Sequence, residues 1–391
     1  MQFLLNLRRL SYATTPDYLQ FIFRPGQMFI RNLRNLRIKL WTLTGLELNS
    51  KQELTILFAS NDAHIDYFKE LAFGGDCKVT YLGKVWLFQV PKLAKQKKDI
   101  YSIMVAEVPK FVLFNVKDCF HIPSWVQGEV DISGDISEII KKHHQLQIDE
   151  RKIRKYALSF ERTNEASRLH DFYYNMYLPY ITKRHGNSAL IENYHLLKKT
   201  FYNCDLIMIK FEGREIAGGL IDHKGHKANL WCLGIKDANP EYVKMGAMGA
   251  FYYYSFQYLK DKGFKKAGVG GSRPFLNDGV LNYKRKWGLK ITEQFEGLFL
   301  LKPLKMTGGA KTFLVNNPFM YSDKGKFNSA VFLNEAISID EAIKEDISKK
   351  YGCLGLSKID IFCLNNEEKT PSWQISKEIP IRPIIPNGCS T

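Results

Sequence analysis

The chain has 391 residues, of which 45% are hydrophobic and 13% aromatic. That length and apolar content allow two domains with real cores and exclude global disorder. A formal charge of +16, from 56 Lys+Arg against 40 Asp+Glu, favours polyanionic partners: nucleic acid, a nucleotide cofactor, anionic lipid or an acidic carrier protein.

No apolar run approaches the roughly 20 residues that span a bilayer. The seven cysteines are odd in number and form no C-x-x-C pair. Cys204, Cys232 and Cys363 sit in apolar strand-like runs, which predicts reduced thiols and a cytoplasmic compartment. His223 and His226 flank a Lys224-Gly225 turn. This spacing reads as a hairpin, and no metal is expected.

Residues 1–49 form a basic arm. Up to residue 45 it carries Arg8, Arg9, Arg24, Arg31, Arg34, Arg37 and Lys39 against one acid, Asp17, with Phe21, Met28, Leu33 and Trp41 interleaved. It reads as an amphipathic helix packed on the next domain. Peripheral contact with the inner membrane surface and a transit peptide are alternatives.

Residues 50–150 predict a small α/β module. Its elements are a strand at Leu54–Ala59, a helix at Asp62–Ala72 and a hairpin of Val79–Leu82 with Val85–Val90 around Gly83-Lys84. Strands at Ile100–Val105 and Phe111–Phe114 and a helix at Ile136–Gln147 complete it.

Residues 151–304 carry more information. A strand at Tyr156–Phe160 leads to a helix from Asn164 to Tyr177, which Pro179 ends or kinks. A second helix covers Ser188–Tyr202. Three strands follow, Leu206–Phe211, Glu215–Asp222 and Lys227–Ile235, with short turns that make them antiparallel neighbours. A long helix from Glu241 to Lys262, a strand at Lys265–Val269, a helix at Asp278–Lys286 and a strand at Leu289–Leu301 complete the block. Residues 305–391 form an extension with a helix at Ile339–Lys350, a strand at Lys358–Leu364 and a Pro-rich tail.

The order β-α-α-β-β-β-α-β-α-β over about 156–302 resembles the GNAT acyltransferase fold, a mixed α/β (α+β) sheet flanked by helices. Lys244-Met245-Gly246-Ala247-Met248-Gly249 is similar to the R/Q-x-x-G-x-G/A turn of that family, with Lys244 for the basic residue and Ala247 for the first glycine. Orphan N–H groups at such a helix start favour an anion. The resemblance implies that Lys244, Gly246, Ala247 and Gly249 hold the pyrophosphate of an acyl-CoA cosubstrate. A start made of small residues is equally a packing device.

The segment Gly270-Gly271-Ser272-Arg273 through Asn282-Tyr283-Lys284-Arg285-Lys286-Trp287-Gly288 is similar to the strand end and F-K-x-x-F-G helix of FemAB-like transferases. That branch implies two tandem GNAT-like modules, with residues 50–150 as a decayed first copy. It also implies that Lys284 meets a phosphate on the substrate. A simple GNAT enzyme has a tyrosine at that position, whereas here Tyr283 stands one residue away.

The resemblance implies N-acyl transfer from acyl-CoA or an acyl carrier protein to an amine acceptor that can bear phosphate. Alternatives are an aminoacyl-tRNA donor acting on a phosphate-bearing cell-envelope precursor, and a nonenzymatic binding protein on the same fold. Backbone N–H groups at Leu233–Ile235 are expected to polarise the donor carbonyl. Asp222, His185 and Glu161 are candidate bases, and Tyr283 is the candidate acid. Tyr177, Tyr180, Arg184, Arg273, Lys284 and Trp231 are the candidate substrate-binding residues. Each of these side chains also has a plain structural reading, as core or as solvated charge.

Overall fold

A computed structural model describes residues 36–60, 64–109, 119–186, 189–224, 227–294, 297–334, 340–364 and 377–380. Residues 1–35 of the basic arm, the expected strand at Phe111–Phe114 and the tail after 380 lie outside the described residues. The strands are β1 (Arg37–Leu46), β2 (Glu53–Ala59), β3 (Cys77–Trp86), β4 (Ile103–Val108), β5 (Phe120–Pro123) and β6 (Val126–Asp131). Next come β7 (Ser159–Thr163), β8 (Cys204–Phe211), β9 (Arg214–Lys224), β10 (Lys227–Ile235), β11 (Lys266–Ser272), β12 (Lys290–Gln294) and β13 (Leu298–Pro303). The last are β14 (Phe319–Asp323), β15 (Lys326–Leu333), β16 (Lys358–Cys363) and β17 (Lys377–Pro380). The chain divides into two compact units.

One unit takes the described residues up to 127, then 271–283, and those from 290 onward. A six-stranded sheet runs β3-β1-β2-β4-β13-β5, and a four-stranded sheet runs β14-β15-β16-β17. Both faces of the larger sheet are apolar, because β2 and β4 alternate between two cores. Phe58 and Val105 point to one, with Phe68 of the helix Ile65–Phe73 and Phe313 of the helix Gly308–Asn316. Leu57 and Met104 point to the other, with Val90 and Ala94 of the helix Val90–Gln96. A strand buried on both faces reads as a continuous apolar run, which is why Leu54–Ala59 was legible as a strand.

Several expectations differ here. Residues 37–46 form a strand of this sheet, so the basic arm is not helical to its end. The expected hairpin at 79–90 is instead one strand, β3, which pairs antiparallel with β1 as far as Trp86 and is bulged near Gly83, and a helical turn from Leu87 leads into the helix Val90–Gln96. The Gly83-Lys84 pair resembles a turn because a bulge also favours glycine. The expected single strand at Leu289–Leu301 is two strands in different sheets, and β13 lies between β4 and β5. Residues 50–127 and 305–364 therefore fold as one unit together with β13, across the boundaries read at 150 and 304.

The other unit takes 128–270 and 284–289. Within it the sheet order is β6-β11-β10-β9-β8-β7. This is the mixed GNAT-like arrangement expected from sequence: β7, β8, β9 and β10 are antiparallel neighbours, and β10 is parallel to β11. The helix expected at 136–147 is two helices, Ile136–Lys141 and His144–Lys155. Helix 241–262 is also two, Pro240–Lys244 and Ala247–Asp261, separated at Gly246, whose φ of 93° only glycine adopts without strain.

The helical path from Ala166 continues to His185. Pro179 does not end it, because the turn before the proline, Tyr173–Tyr177, is a π-turn, and the Leu178 N–H reaches back to Tyr173 O. This turn lies on β10 at Gly234. A Cβ there would stand 2.4 Å from Met176 C and Tyr177 N. The obstructing atoms are backbone and cannot swing away. Gly234→Ala is therefore expected to cost about 2–3 kcal/mol. Urea unfolding should show a lower midpoint at unchanged slope.

Candidate functional site

β10 and β11 pair at only two positions, Ala228↔Ala267 and Asn229↔Gly268. Both strands run on, to Ile235 and Ser272. On its other edge β10 stays paired with β9 as far as Ile235↔Ala217. Beyond Leu230 the β11-facing edge of β10 thus offers backbone groups outside any strand ladder among the described residues. A bulge falls in this stretch. Cys232 is the extra residue between Trp231 and Leu233, with a φ of 48°. Bulges re-aim backbone and side chains next to sites. The stretch Leu233–Ile235, expected from sequence to polarise a carbonyl, lies on this part of β10.

Lys284 stands beside the same opening. It is buried, and its Nζ donates to Gly270 O at 3.2 Å. The rest of its motif has a structural cause. Trp287 is buried, stacks on Tyr252 at 6.1 Å and meets Phe256 edge-on at 5.2 Å. Gly288 takes a φ of 84°, which ends the helix Gly279–Lys286.

The helix start expected to cradle a pyrophosphate packs closely on an earlier helix. A Cβ on Gly249 would stand 2.7 Å from Asp149 Cβ and 3.0 Å from its Oδ2, and one on Gly246 would stand 3.0 Å from Lys152 Cβ. Both residues belong to the helix His144–Lys155. The buried Asp149 accepts a bond from Gln145 Nε2 at 3.3 Å. The side of the helix start at Gly246 and Gly249 is thus occupied by the helix His144–Lys155, with the Asp149 carboxylate nearby. Ala247 is buried, and the Lys244 ammonium is held outside by Glu241 at 2.7 Å.

The remaining sequence candidates separate. Tyr177 is buried; its hydroxyl donates to Leu190 O at 3.3 Å and accepts from Glu192 N–H at 3.0 Å, and burial pushes its pKa up. It ties the segment before the helix Tyr194–Thr200 to the π-turn. Trp231 packs half-buried on the same apolar cluster. Arg184 Nη1 donates to the buried Tyr180 hydroxyl at 2.5 Å. Burial raises the pKa of Tyr252, and Arg184 opposes that shift, which places Tyr252 in the same electrostatic neighbourhood. His185 ends the helix Leu178–His185.

Glu161 is ion-paired with Lys210, whose ammonium holds the carboxyl below its ordinary range, so it is a poor base. Asp222 is buried on β9 opposite Asn229 of β10. Tyr283 and Arg273 belong to the other unit.

A polar cluster that the sequence reading did not single out lies on this sheet. Asp205 is buried and accepts from Arg162 Nε at 2.7 Å and from Tyr258 Oη at 2.6 Å, with His223 Nε2 at 2.7 Å. Burial alone would raise its pKa. The bonds from Tyr258, Arg162 and His223 outweigh that and hold the carboxyl low, while Tyr258 is pushed up to about 12. The available signal was a lone acid within the apolar run Cys204–Phe211. Among the described residues no group of three or more His, Cys, Asp or Glu could hold a metal, and no helix is long and apolar enough to cross a membrane.

No family model matches the sequence, and no curated protein matches it. Solved structures with a similar fold include FemX, at 11% identity and a TM-score of 0.36, covering 66% of this chain and 83% of that one. L-PGS from Bacillus licheniformis is 11% identical, with a TM-score of 0.33, 66% of this chain and 80% of that one covered. An N-acetyltransferase, PaiA, from Thermoplasma acidophilum, in complex with coenzyme A, is 15% identical with a TM-score of 0.27, covering 37% of this chain and 99% of that one.

The Asp205 cluster gives a pH-dependent expectation. Asp205→Asn removes the charge opposite Arg162, and a loss of about 2–3 kcal/mol at pH 7 is expected for a partly exposed pair. A carboxyl whose folded pKa is depressed stabilises above its unfolded pKa and loses that contribution as pH falls through the folded one. The gap between wild type and variant should therefore be full at pH 6–7 and shrink below about pH 4. Urea unfolding across that range measures it.

Proposed function

We propose that the unit built from 128–270 and 284–289 transfers an acyl group to an amine, and that its donor is an aminoacyl ester of tRNA rather than acyl-CoA. The observation that carries the transfer reading is the early parting of β10 from β11, with the Cys232 bulge on one side and Lys284 on the other. The choice of donor is supported by Asp149, whose carboxylate stands beside Gly249 near the helix start that the acyl-CoA reading would use. The surplus of 16 positive charges suits a large polyanion.

In this reading the ester carbonyl lies at the open edge of β10, polarised by backbone N–H groups between Leu230 and Ile235. The acceptor nitrogen attacks the carbonyl carbon. The C–N bond forms, the ester C–O bond breaks, and the departing ribose oxygen takes a proton. The nitrogen gives up its proton to water, since Glu161 is committed to Lys210. The Lys284 ammonium, beside Gly270, stabilises negative charge on the leaving oxygen or a neighbouring phosphate.

Thermal unfolding with bulk tRNA or free coenzyme A tests the choice of donor. The wild type is expected to gain stability from tRNA, less so as salt rises, and none from coenzyme A. Asp149→Ala should open the helix start and admit a coenzyme A response. A response to coenzyme A with Asp149 in place, and none to tRNA, would return the donor to acyl-CoA. Lys284→Met, which keeps the buried volume, should slow transfer about a hundredfold with little change in the unfolding midpoint.

A further inference from the structure

In the other unit Arg273 is 7% exposed, yet it has no ion-pair partner among the described residues. Its guanidinium carbon lies 4.1 Å from the centre of the Tyr67 ring and 4.0 Å from that of Trp125. Nη1 is committed, reaching His64 Nδ1 at 3.2 Å and donating to Ser124 O at 3.3 Å. Nε and Nη2 meet no acceptor among the described residues.

The nearby acids are engaged elsewhere. Asp278 Oδ1 accepts from Leu281 N–H at 2.9 Å. Glu107 accepts from Ser60 Oγ at 2.5 Å and faces His64 Nε2 at 3.5 Å. His64 therefore passes part of the Glu107 charge toward Nη1 and leaves the other edge of the fork open. Burial pushes the Arg273 pKa down only to about 10, so the group is a cation at neutral pH.

A buried cation without a counter-charge is costly. The two ring faces offset part of this cost, but they offer no acceptor to the N–H groups in the guanidinium plane. They also block approach from above and below. Tyr67 and Trp125 are themselves only half-buried, so the rings that flank the guanidinium are not sealed within the core. What fits is a compact group with two acceptor oxygens lying in that plane.

We infer that Arg273, walled by Tyr67 and Trp125 and steadied by His64, is a binding site for an oxyanion that accepts two parallel N–H bonds, a phosphate or carboxylate group of a ligand. The site does not rest on the acyl-transfer reading, because its residues all belong to the other unit.

The test is the thermal midpoint of the full chain in Tris-chloride, with sodium phosphate or sodium acetate compared with sodium chloride at equal ionic strength. A rise in phosphate, acetate or both is expected, and the more effective salt names the ligand's charged group. Arg273→Lys, which keeps the charge but loses the fork, should weaken the apparent affinity about tenfold. Arg273→Met should abolish the response, and Lys141→Ala, at an exposed lysine of the unit built from 128–270 and 284–289, should retain it. A midpoint indifferent to both oxyanions, or a rise that survives Arg273→Met, overturns the site.

If Arg273→Met does not fold, tryptophan fluorescence decides. The wild type should change its emission with the effective oxyanion, and Trp125→Phe, which keeps a ring wall, should lose that change while retaining the thermal response. Equal emission changes in the two proteins would place the anion elsewhere.

Discussion

The close approach of the Met176–Tyr177 backbone to Gly234 fixes where the opening in the sheet can form. A helix backbone pressed against a strand leaves no room for a side chain, so β10 must present glycine at that point. The π-turn brings its wider backbone to this contact and lets the chain pass Pro179 without a break. With one face of β10 held by this turn and one edge held by β9, the strand keeps its course past the point where β11 leaves it. The bulge at Cys232 falls between the last pairing with β11 and Gly234. The opening is thus a consequence of packing on the far face, and the residues that create it are not the ones that would do chemistry in it.

The parts of this fold that were legible in sequence are those set by local rules. Antiparallel β8, β9 and β10 follow from short turns, and the strand span at Lys227–Ile235 agrees with the structure. The helix ending at Lys286 could be read from Trp287 and Gly288, since a buried aromatic and a left-handed glycine have visible sequence signatures. What failed depended on partners distant in the chain. Arg37–Leu46 alternates polar and apolar side chains with the period of a strand, a signal masked when the segment is read as the end of the Arg-rich arm before it; its pairing with β2 and β3 makes the strand explicit. Leu289–Leu301 is broken at its centre by Glu293, Gln294 and the pair Glu296-Gly297, a local turn signal, but nothing local says that its two halves serve different sheets.

The same limit applied to the candidate site. Gly246 and Gly249 were read as room for a phosphate because small residues at a helix start leave its N–H groups accessible. The structure gives that room to Asp149 and Lys152, from a helix far upstream in the chain. Small residues at a helix start leave room for an anion or for a neighbouring helix alike, and only the tertiary partner decides between them. Tyr177 shows the converse. Its residue type suited a substrate wall, but its hydroxyl is used up by the backbone at Leu190 and Glu192. Asp205 was overlooked because its three donors come from β7, β9 and the helix Ala247–Asp261, and none is a sequence neighbour.

Among the described residues Lys284 in one unit and Arg273 in the other are buried cations. Taking an ammonium or guanidinium out of water costs several kcal/mol before any partner is counted. A carbonyl at 3.2 Å or a pair of ring faces near 4 Å recovers part of that. An apolar side chain of similar volume at either position would keep the packing and avoid the cost altogether. For Arg273, which has no ion-pair partner among the described residues, folding stability is therefore a poor reason for the charge, whereas recognition is a good one. A desolvated cation held in a fixed orientation binds an anion more strongly than a solvated one, because the cost of drying it is met when the protein folds.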